Sequence, residues 1–593
     1  MANPTEIVTT LQSTRGAVAG GDPATRRFFR DFLILALAIG GTLLLSKRQA
    51  LTGDEPRYFM FARSFIEHGR FVMTLPQWQH LYRATTGLEA ASLPVGYHDV
   101  ALLNGVYLPA VLAPVSLAGL AALRLATLLA GLLGLACLLG LARRTGSGGA
   151  AWVATLVAGL SIPLLPYLHI FYMETFLFAL LCAAWWRLQT PTRNTLGDVV
   201  TGCLLLALPF VHLRAAVVAV VLYGLLLWQV CMRGQWLRAA ALVALAAAAL
   251  AVLVTANLSI YGTVTGPVNT ARPPLPSEWF GVLSMQLFNV RHGLLAFAPV
   301  WLLGYAGLVA GALRGSRLAR QGLVLAAIAA VTGVGVNPGE CWPARFWVLS
   351  IPMLAVGLCL WWQMARTRLP RILALSLIAF TLLNSYAFLK HPNDLLENRQ
   401  SGTTYQAWFD KVGHLDFGLP LPVETDDPID RTAATTLAIG SLLFVAFAIA
   451  APVRGPAWTT GCFLLLLAAL DAAHVRLVPP AQYRVEARPD RLTLVMQQPM
   501  AAGYVQLGRP WLPLFGPPQW PRFDVEADGA LGQSRHFEAA RNVVPVSCKD
   551  GIRSVTIATR SAIDLADAAH YRMRLYRSQS MIWRTVGWLR DRC

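Results

Sequence analysis

Residues 120–142, LAALRLATLLAGLLGLACLLGLA, run straight into Arg143 and Arg144. A predominantly apolar stretch of this length matches the roughly 20 residues that a helix needs to cross a bilayer. The paired arginines at its end mark the cytoplasmic side, because short cytoplasmic loops are enriched in Lys and Arg. The same pattern recurs in both directions along the chain. Upstream, Phe32–Ser46 is a slightly short apolar run closed by Lys47 and Arg48. Downstream, candidate spans fall near 149–166, 168–187, 196–213, 215–232, 238–257, 294–313, 322–337, 346–364, 371–389, 434–451 and 457–474. Together they make about 13 crossings. Across the 593 residues, 55% are hydrophobic and only 13% charged, a smaller charged fraction than a soluble chain of this length would show. The sequence specifies an all-α polytopic membrane protein.

Charge tests the orientation independently. The formal net charge of +18 would, on a soluble protein, suggest nucleic acid. Here the arginines sit in short loops between apolar runs, which excludes that reading. With the N-terminus in the cytoplasm, Arg143 and Arg144 fall inside, as do Arg187, Arg193, Arg233, Arg238, Arg314, Arg317, Arg320, Arg366, Arg368, Arg371 and Arg454. The reverse orientation puts nearly all of them outside. An odd number of spans then leaves the C-terminus outside, with loops 47–119, 258–293, 338–345 and 390–433. Residues 1–31 are a polar cytoplasmic tail carrying Arg15, Arg26, Arg27 and Arg30. The run that follows has no clear small-residue cleavage site and reads as a retained span.

The chain changes character near residue 475. Residues 32–474 form the membrane domain. Residues 475–593 carry Pro, Gly, Asp and Arg freely, with short β-like runs at Leu492–Met496, Val543–Val546, Val555–Ala558 and Tyr571–Tyr576. They predict a small β-rich extracytoplasmic domain. Of the nine cysteines, Cys137, Cys182, Cys203, Cys231 and Cys462 lie in spans, where they pack as small hydrophobes. Cys548 and Cys593 fall in the external domain, either as a disulfide or as two free thiols.

The chemistry is expected where ionisable groups face the outer side. After the first span comes Leu51-Thr52-Gly53-Asp54-Glu55-Pro56-Arg57-Tyr58-Phe59. It puts two carboxylates at the membrane–water boundary. Gly53 permits a sharp exit from the span, and Pro56 suits the first turn of a following helix. Residues 58–69 are amphipathic enough to lie along the interface. The plain alternative is that Asp54 and Glu55 simply cap that helix.

Further residues argue against the plain alternative. Gly53-Asp54-Glu55-Pro56-Arg57-Tyr58 resembles the signature of bacterial GT-C membrane glycosyltransferases, related to protein O-mannosyltransferases and the lipid A aminoarabinose transferase. Pro109-Ala110-Val111-Leu112-Ala113-Pro114 resembles that family's Pro-punctuated stretch before the second span. Tyr172-Met173-Glu174 is similar to its Y-P-E, with Met173 in place of the usual Pro. Leu208-Pro209-Phe210-Val211-His212-Leu213-Arg214 resembles its L-P-W-x-H-x-R. Arg291-His292-Gly293-Leu294-Leu295, with Ala298-Pro299, resembles its R-x-G-L-L…P, and Trp342-Pro343-Ala344-Arg345-Phe346 its P-x-R-[FY]. The likeness covers most of the membrane part and stops near residue 475. It implies transfer of a sugar from a polyprenyl-phosphate donor to an acceptor hydroxyl at the outer face of a bacterial inner membrane. The acceptor is a glycan, a lipid or a protein.

That chemistry has a definite demand. The phosphate is already a good leaving group and needs cations rather than a general acid, while the acceptor hydroxyl needs a base. The expected site is one carboxylate with several Arg or His, unlike the two flanking carboxylates of a hydrolase. Asp54, matching the first acid of the motif, is the expected base. Glu55 orients Asp54 or binds the acceptor. Glu174 faces a polar cavity, or pairs with His169 or Arg214. Arg57, Tyr58 and Tyr172 are expected at the substrate. Arg214 reads as functional and His212 as structural, the alternative for both being interfacial anchors. Arg291, His292 and Arg345 enter spans from the outside, against the charge trend, which favours an anionic ligand; the alternative for Arg345 is pairing with Glu340. Arginine suits phosphate because its planar fork binds bidentately and stays charged. Asp54, Glu55 and Glu174 are also hard oxygen ligands that Mg²⁺ or Mn²⁺ accepts, but no metal-specific spacing accompanies them. Two other classes compete: a lipid or glycan transporter or flippase, and an anchored binding protein acting through its tail. Against transport, no inverted repeat is evident, and the acids lie at one membrane face rather than the midplane.

Overall fold

The computed structural model describes residues 23–46, 54–90 and 105–266 with gaps of one to three residues. It then describes 283, 286–287, 293–334, 344–390, 440–452, 456–472 and sheet residues between 475 and 578. The longer helices are α1 (Pro23–Leu45), α2 (Glu55–His68), α3 (Leu75–Thr86), α4 (Leu120–Arg143), α5 (Gly148–Leu160), α6 (Met173–Leu188), α7 (Thr195–Val211) and α8 (Ala216–Cys231). They continue with α9 (Trp236–Tyr261), α10 (Trp301–Leu313), α11 (Arg317–Val334), α12 (Ile351–Met364), α13 (Arg368–Lys390), α14 (Gly440–Pro452) and α15 (Pro456–Ala472). The chain is a polytopic helical membrane protein with a small β-sheet near its C-terminal end.

Among the described residues, six helical stretches are long and apolar enough to cross a membrane: Thr25–Leu45, Leu120–Arg143, Leu213–Cys231, Trp236–Tyr261, Arg345–Met364 and Arg368–Lys390. Each expected span has a helix at its place, but several helices are short. Proline explains two of these cases, since it removes an N–H and clashes with the preceding turn. The run 149–166 ends its helix at Leu160, ahead of Pro163 and Pro166, and 294–313 starts its main helix at Trp301, after Pro299. The first helix, in contrast, begins well before Phe32, at Pro23. It buries Leu35, Ile39 and Thr42, one helical stripe, and leaves Leu33, Leu37 and Leu44 exposed, as suits contact with lipid.

Ion pairs fix the helices end to end. Asp31 of α1 meets Arg143 at the close of α4 at 2.5 Å. At the opposite end Glu55, past the close of α1, meets Arg124 at the start of α4. The two helices therefore run antiparallel. Asp198 on α7 pairs with Arg233 beyond α8 at 2.8 Å, and Arg144 reaches the Gln189 carbonyl and Thr190 beyond α6, both at the Arg143 end. Burying such groups unpaired is costly, so each pair sits near a helix end.

Among the described glycines, the closest backbone approach joins α10 to α12. A Cβ on Gly307 would overlap the carbonyl oxygen of Gly357, and one on Gly357 would overlap that of Gly304. In a membrane, small residues drive association by letting backbones approach. Replacing Gly357 by leucine is expected to lower stability by about 1–3 kcal/mol or more. Gly224, whose Cβ would meet nothing within 4 Å, should accept leucine without loss. Thermal unfolding in lipid nanodiscs compares the two; equal midpoints would remove this contact from the account.

α2 and α3 lie beyond the first span. α2 buries Tyr58, Phe59, Met60, Phe61 and Ala62 in succession, so it is packed on several sides rather than merely floating at the interface. α3, unexpected from the sequence, starts with Thr74 and Gln77 in a reciprocal cap. The sheet comprises β1 (Val475–Leu477), β2 (Tyr483–Arg488), β3 (Arg491–Gln506), β4 (Phe523–Gly529), β5 (Ser534–Ala539), β6 (Val543–Thr559) and β7 (Arg574–Ser578), all antiparallel, in the order β1-β7-β3-β6-β4-β5 with β2 also on β3. The long β3 pairs with β2 near its start and with β7 near its end, and its register against β6 shifts between Val495 and Met500. Leu492, Leu494, Met496, Ile552, Val555 and Ile557 form its buried face. The run expected at 571–576 lies outside the described residues before Arg574, as does Cys593.

Candidate active site

Asp54 occupies the cap position of α2, yet its side chain makes no capping bond. The carboxylate is engaged elsewhere. Arg57, three residues on and so on the same helical face, returns its Nη1 to Asp54 Oδ1 at 3.0 Å. Arg345 places Nη1 on Oδ2 at 2.6 Å. The Asp54 backbone N–H donates to the Tyr172 hydroxyl at 2.7 Å.

Arg345 is the centre of the cluster. It opens a 3-10 turn, Arg345–Ser350, directly after Ala344, whose φ of 58° is left-handed. A non-glycine residue there costs roughly 1–2 kcal/mol, and the sharp turn it makes carries Arg345 into the bundle. Its Nε meets Glu174 Oε1 at 2.6 Å. Its guanidinium lies 5.0 Å from the Tyr172 ring centroid and 6.0 Å from that of Phe346. One arginine thus bridges two carboxylates held by segments 120 residues apart in sequence, Asp54 and Glu174.

Glu174 sits in the first turn of α6, fully buried, where the helix N-terminus favours a carboxylate. Its Oε1 also receives Arg214 Nη2 at 3.2 Å. Arg214 belongs to a 3-10 turn, Leu213–Ala215, in which His212 Nδ1 accepts the Arg214 N–H at 3.2 Å. His212 is therefore a cap that shapes the approach of Arg214. The Arg214 guanidinium stacks over Phe346 at 4.9 Å.

Glu55 turns the other way. Arg124 grips it with two bonds, Nε to Oε1 at 2.8 Å and Nη2 to Oε2 at 2.6 Å, and the Phe171 N–H adds a third at 2.8 Å. Consecutive residues Asp54 and Glu55 thereby meet consecutive residues Tyr172 and Phe171. Tyr58, one turn along α2, packs edge-on against both rings, at 5.8 Å from Tyr172 and 6.1 Å from Phe171.

The structure thus gathers Asp54, Arg57, Tyr172, Glu174, Arg214 and Arg345, with Tyr58 and His212 beside them. Arg291, His292 and Glu340 lie outside the described residues. His169 pairs with Thr42 at 2.8 Å. Arg124 was not anticipated; its only signal is a lone charge inside the apolar run 120–142. Among the described residues, no three acids, histidines or cysteines converge as metal ligands would.

No family model and no curated protein matches the chain. Among solved structures it is similar to the crystal structure of ArnT from Cupriavidus metallidurans in the apo state, at 16% identity and a TM-score of 0.41, over 75% of this chain and 77% of that one. It is also similar to the same protein bound to undecaprenyl phosphate, at 16% identity and a TM-score of 0.38, over 76% of this chain and 77% of that one.

Proposed function

We propose that this chain is a GT-C type glycosyltransferase. It moves a sugar from a polyprenyl-phosphate carrier to an acceptor hydroxyl at the outer face of the inner membrane. The observation that carries the reading is the Arg345 bridge between Asp54 and Glu174, flanked by Arg57 and Arg214. Two carboxylates stand against three guanidiniums at one end of a membrane bundle. The surplus positive charge suits an anion, and low dielectric makes it effective there. The motif resemblance supplies the anion's identity, a lipid-linked sugar phosphate.

In the reaction, the acceptor O–H gives its proton to an Asp54 carboxylate oxygen as its own oxygen bonds to the anomeric carbon. The bond from that carbon to the phosphate oxygen breaks, and the electron pair stays with the phosphate. Arg345 and Arg57 stand beside Asp54 to stabilise that developing charge. Attack and departure on opposite faces invert the anomeric configuration. Glu55, held by Arg124, positions Asp54. In this reading residues 32–474 are the catalytic membrane part, and the sheet region 475–593 is periplasmic.

Two measurements test the proposal. Purified full-length protein should transfer labelled sugar from an undecaprenyl-phosphate donor; lipid movement across vesicles without transfer would favour a flippase instead. Single-cysteine labels near Gly402 or Gly529 should react with impermeant reagents from the periplasm, and labels near Gly315 should not. Reversed labelling would put Asp54 in the wrong compartment and end the assignment.

A further inference from the structure

We propose that Glu174 and Arg214 form a subsite for a neutral hydroxyl of the transferred sugar, a specificity element that rests on the transferase reading above. Glu174 is fully buried, yet only Oε1 is used, by both Arg345 and Arg214. Its Oε2 has no donor among the described residues. Arg214 is in the same condition. Its side chain is 4% exposed, Nη2 is spent on Glu174, and both Nε and Nη1 lack an acceptor. Unmet buried polar atoms cost about 1–3 kcal/mol each, more when charged.

The fully satisfied pair in the same protein shows what is missing. Arg124 and Glu55 meet fork to fork, and the Phe171 N–H completes the set. Glu174 and Arg214 touch through one atom each, while Arg345 draws on the shared oxygen and the Phe346 ring lies 4.9 Å from the Arg214 guanidinium carbon. The result is a carboxylate oxygen awaiting a donor beside guanidinium N–H groups awaiting an acceptor.

One functional group meets both needs with a single atom. A hydroxyl donates to Oε2 and accepts from Arg214. A carboxylate there would confront Glu174. An ammonium would confront Arg214 and Arg345 together. The subsite therefore selects a sugar that is uncharged at this position and discriminates against amino sugars and uronic acids charged there.

The test supplies wild-type full-length protein with undecaprenyl phosphates carrying glucose, mannose, galactose or arabinose. The best of these is then compared with its monodeoxy analogues and with analogues bearing an amine or a carboxylate. One deoxy position should lower kcat/KM by roughly 10²-fold or more, with the charged analogue at that position at least as poor. Glu174→Gln and the milder Arg214→Lys should shrink that discrimination to within about tenfold, because the partners of the hydroxyl are altered. Binding of sugar-free undecaprenyl phosphate, measured on both variants, separates any loss of lipid affinity from the loss of sugar discrimination. Equal use of every analogue, or discrimination unchanged in both variants, would sink the subsite and leave the transferase reading standing. No transfer from any of these donors by wild-type protein would overturn both.

Discussion

Asp54→Asn is expected to lower sugar transfer by roughly 10²–10⁴-fold, the range that a positioned general base contributes, while the protein still inserts and binds polyprenyl phosphate. Asparagine has nearly the same shape but keeps a single acceptor oxygen, so it can hold Arg57 or Arg345 but not both, and Arg345 stays anchored through Glu174. What it lacks is basicity, and an acceptor hydroxyl is a poor nucleophile until its proton has somewhere to go. The side chain's lack of any capping bond matters here, because the plain reading of Asp54 as a helix cap predicts a loss of stability rather than of rate. The measurement is transfer from a defined undecaprenyl-phosphate sugar, with lipid binding assayed separately. Normal transfer by the variant would move the base elsewhere, with Glu174 next to be tried. Inactivity that traces wholly to lost lipid binding would make Asp54 a holding residue.

Arg345→Ala is expected to have the second-largest effect. It removes the bridge between the two acids, while Arg57 stays on Asp54 and Arg214 on Glu174. Those residual pairs should keep the fold, although breaking a buried ion pair commonly costs about 3–5 kcal/mol. The donor phosphate then meets two carboxylates without the intervening cation, so lipid binding and transfer should both fall, by 10-fold or more on the order of one lost charge-assisted contact. Arg345→Lys should recover only part. A compact ammonium cannot serve Asp54, Glu174 and a phosphate at once, nor offer a planar face to the nearby Tyr172 and Phe346 rings. Wild-type transfer by Arg345→Ala would take the cation out of the leaving-group role.

How far the site can be read in advance depends on the range of the interaction. Apolar length and arginine placement are local, so the helices stand where the sequence puts them. The break after Leu160 is equally local in cause, but hydropathy averages over Pro163 and Pro166. The β-like runs at 492–496, 543–546 and 555–558 become parts of β3 and β6, whereas β2, β4 and β5 are too polar to stand out. The bridge of Arg345 to Glu174 spans 171 residues, and nothing local specifies it. Adjacency even misleads at Asp54 and Glu55. Two neighbouring acids suggest a shared task, but a helix turns each successive residue by about 100°, and the side chains part toward Arg345 and Arg124. Arg124 itself looks like a lone cation snorkelling from a span; only its partner across the bundle gives it meaning.

The paired contacts of Asp54-Glu55 with Tyr172-Phe171 make the spacing of two distant segments interdependent. Each segment offers two successive groups, and each group meets one on the other segment. A single residue inserted on either side would shift this register and leave the half-buried Arg124 facing the wrong neighbour. The loops before and after tolerate length changes on general grounds, but this junction does not. In a lineage of such chains, insertions and deletions should therefore accumulate on both flanks of these four residues and stop short of them, whatever happens to the side chains around.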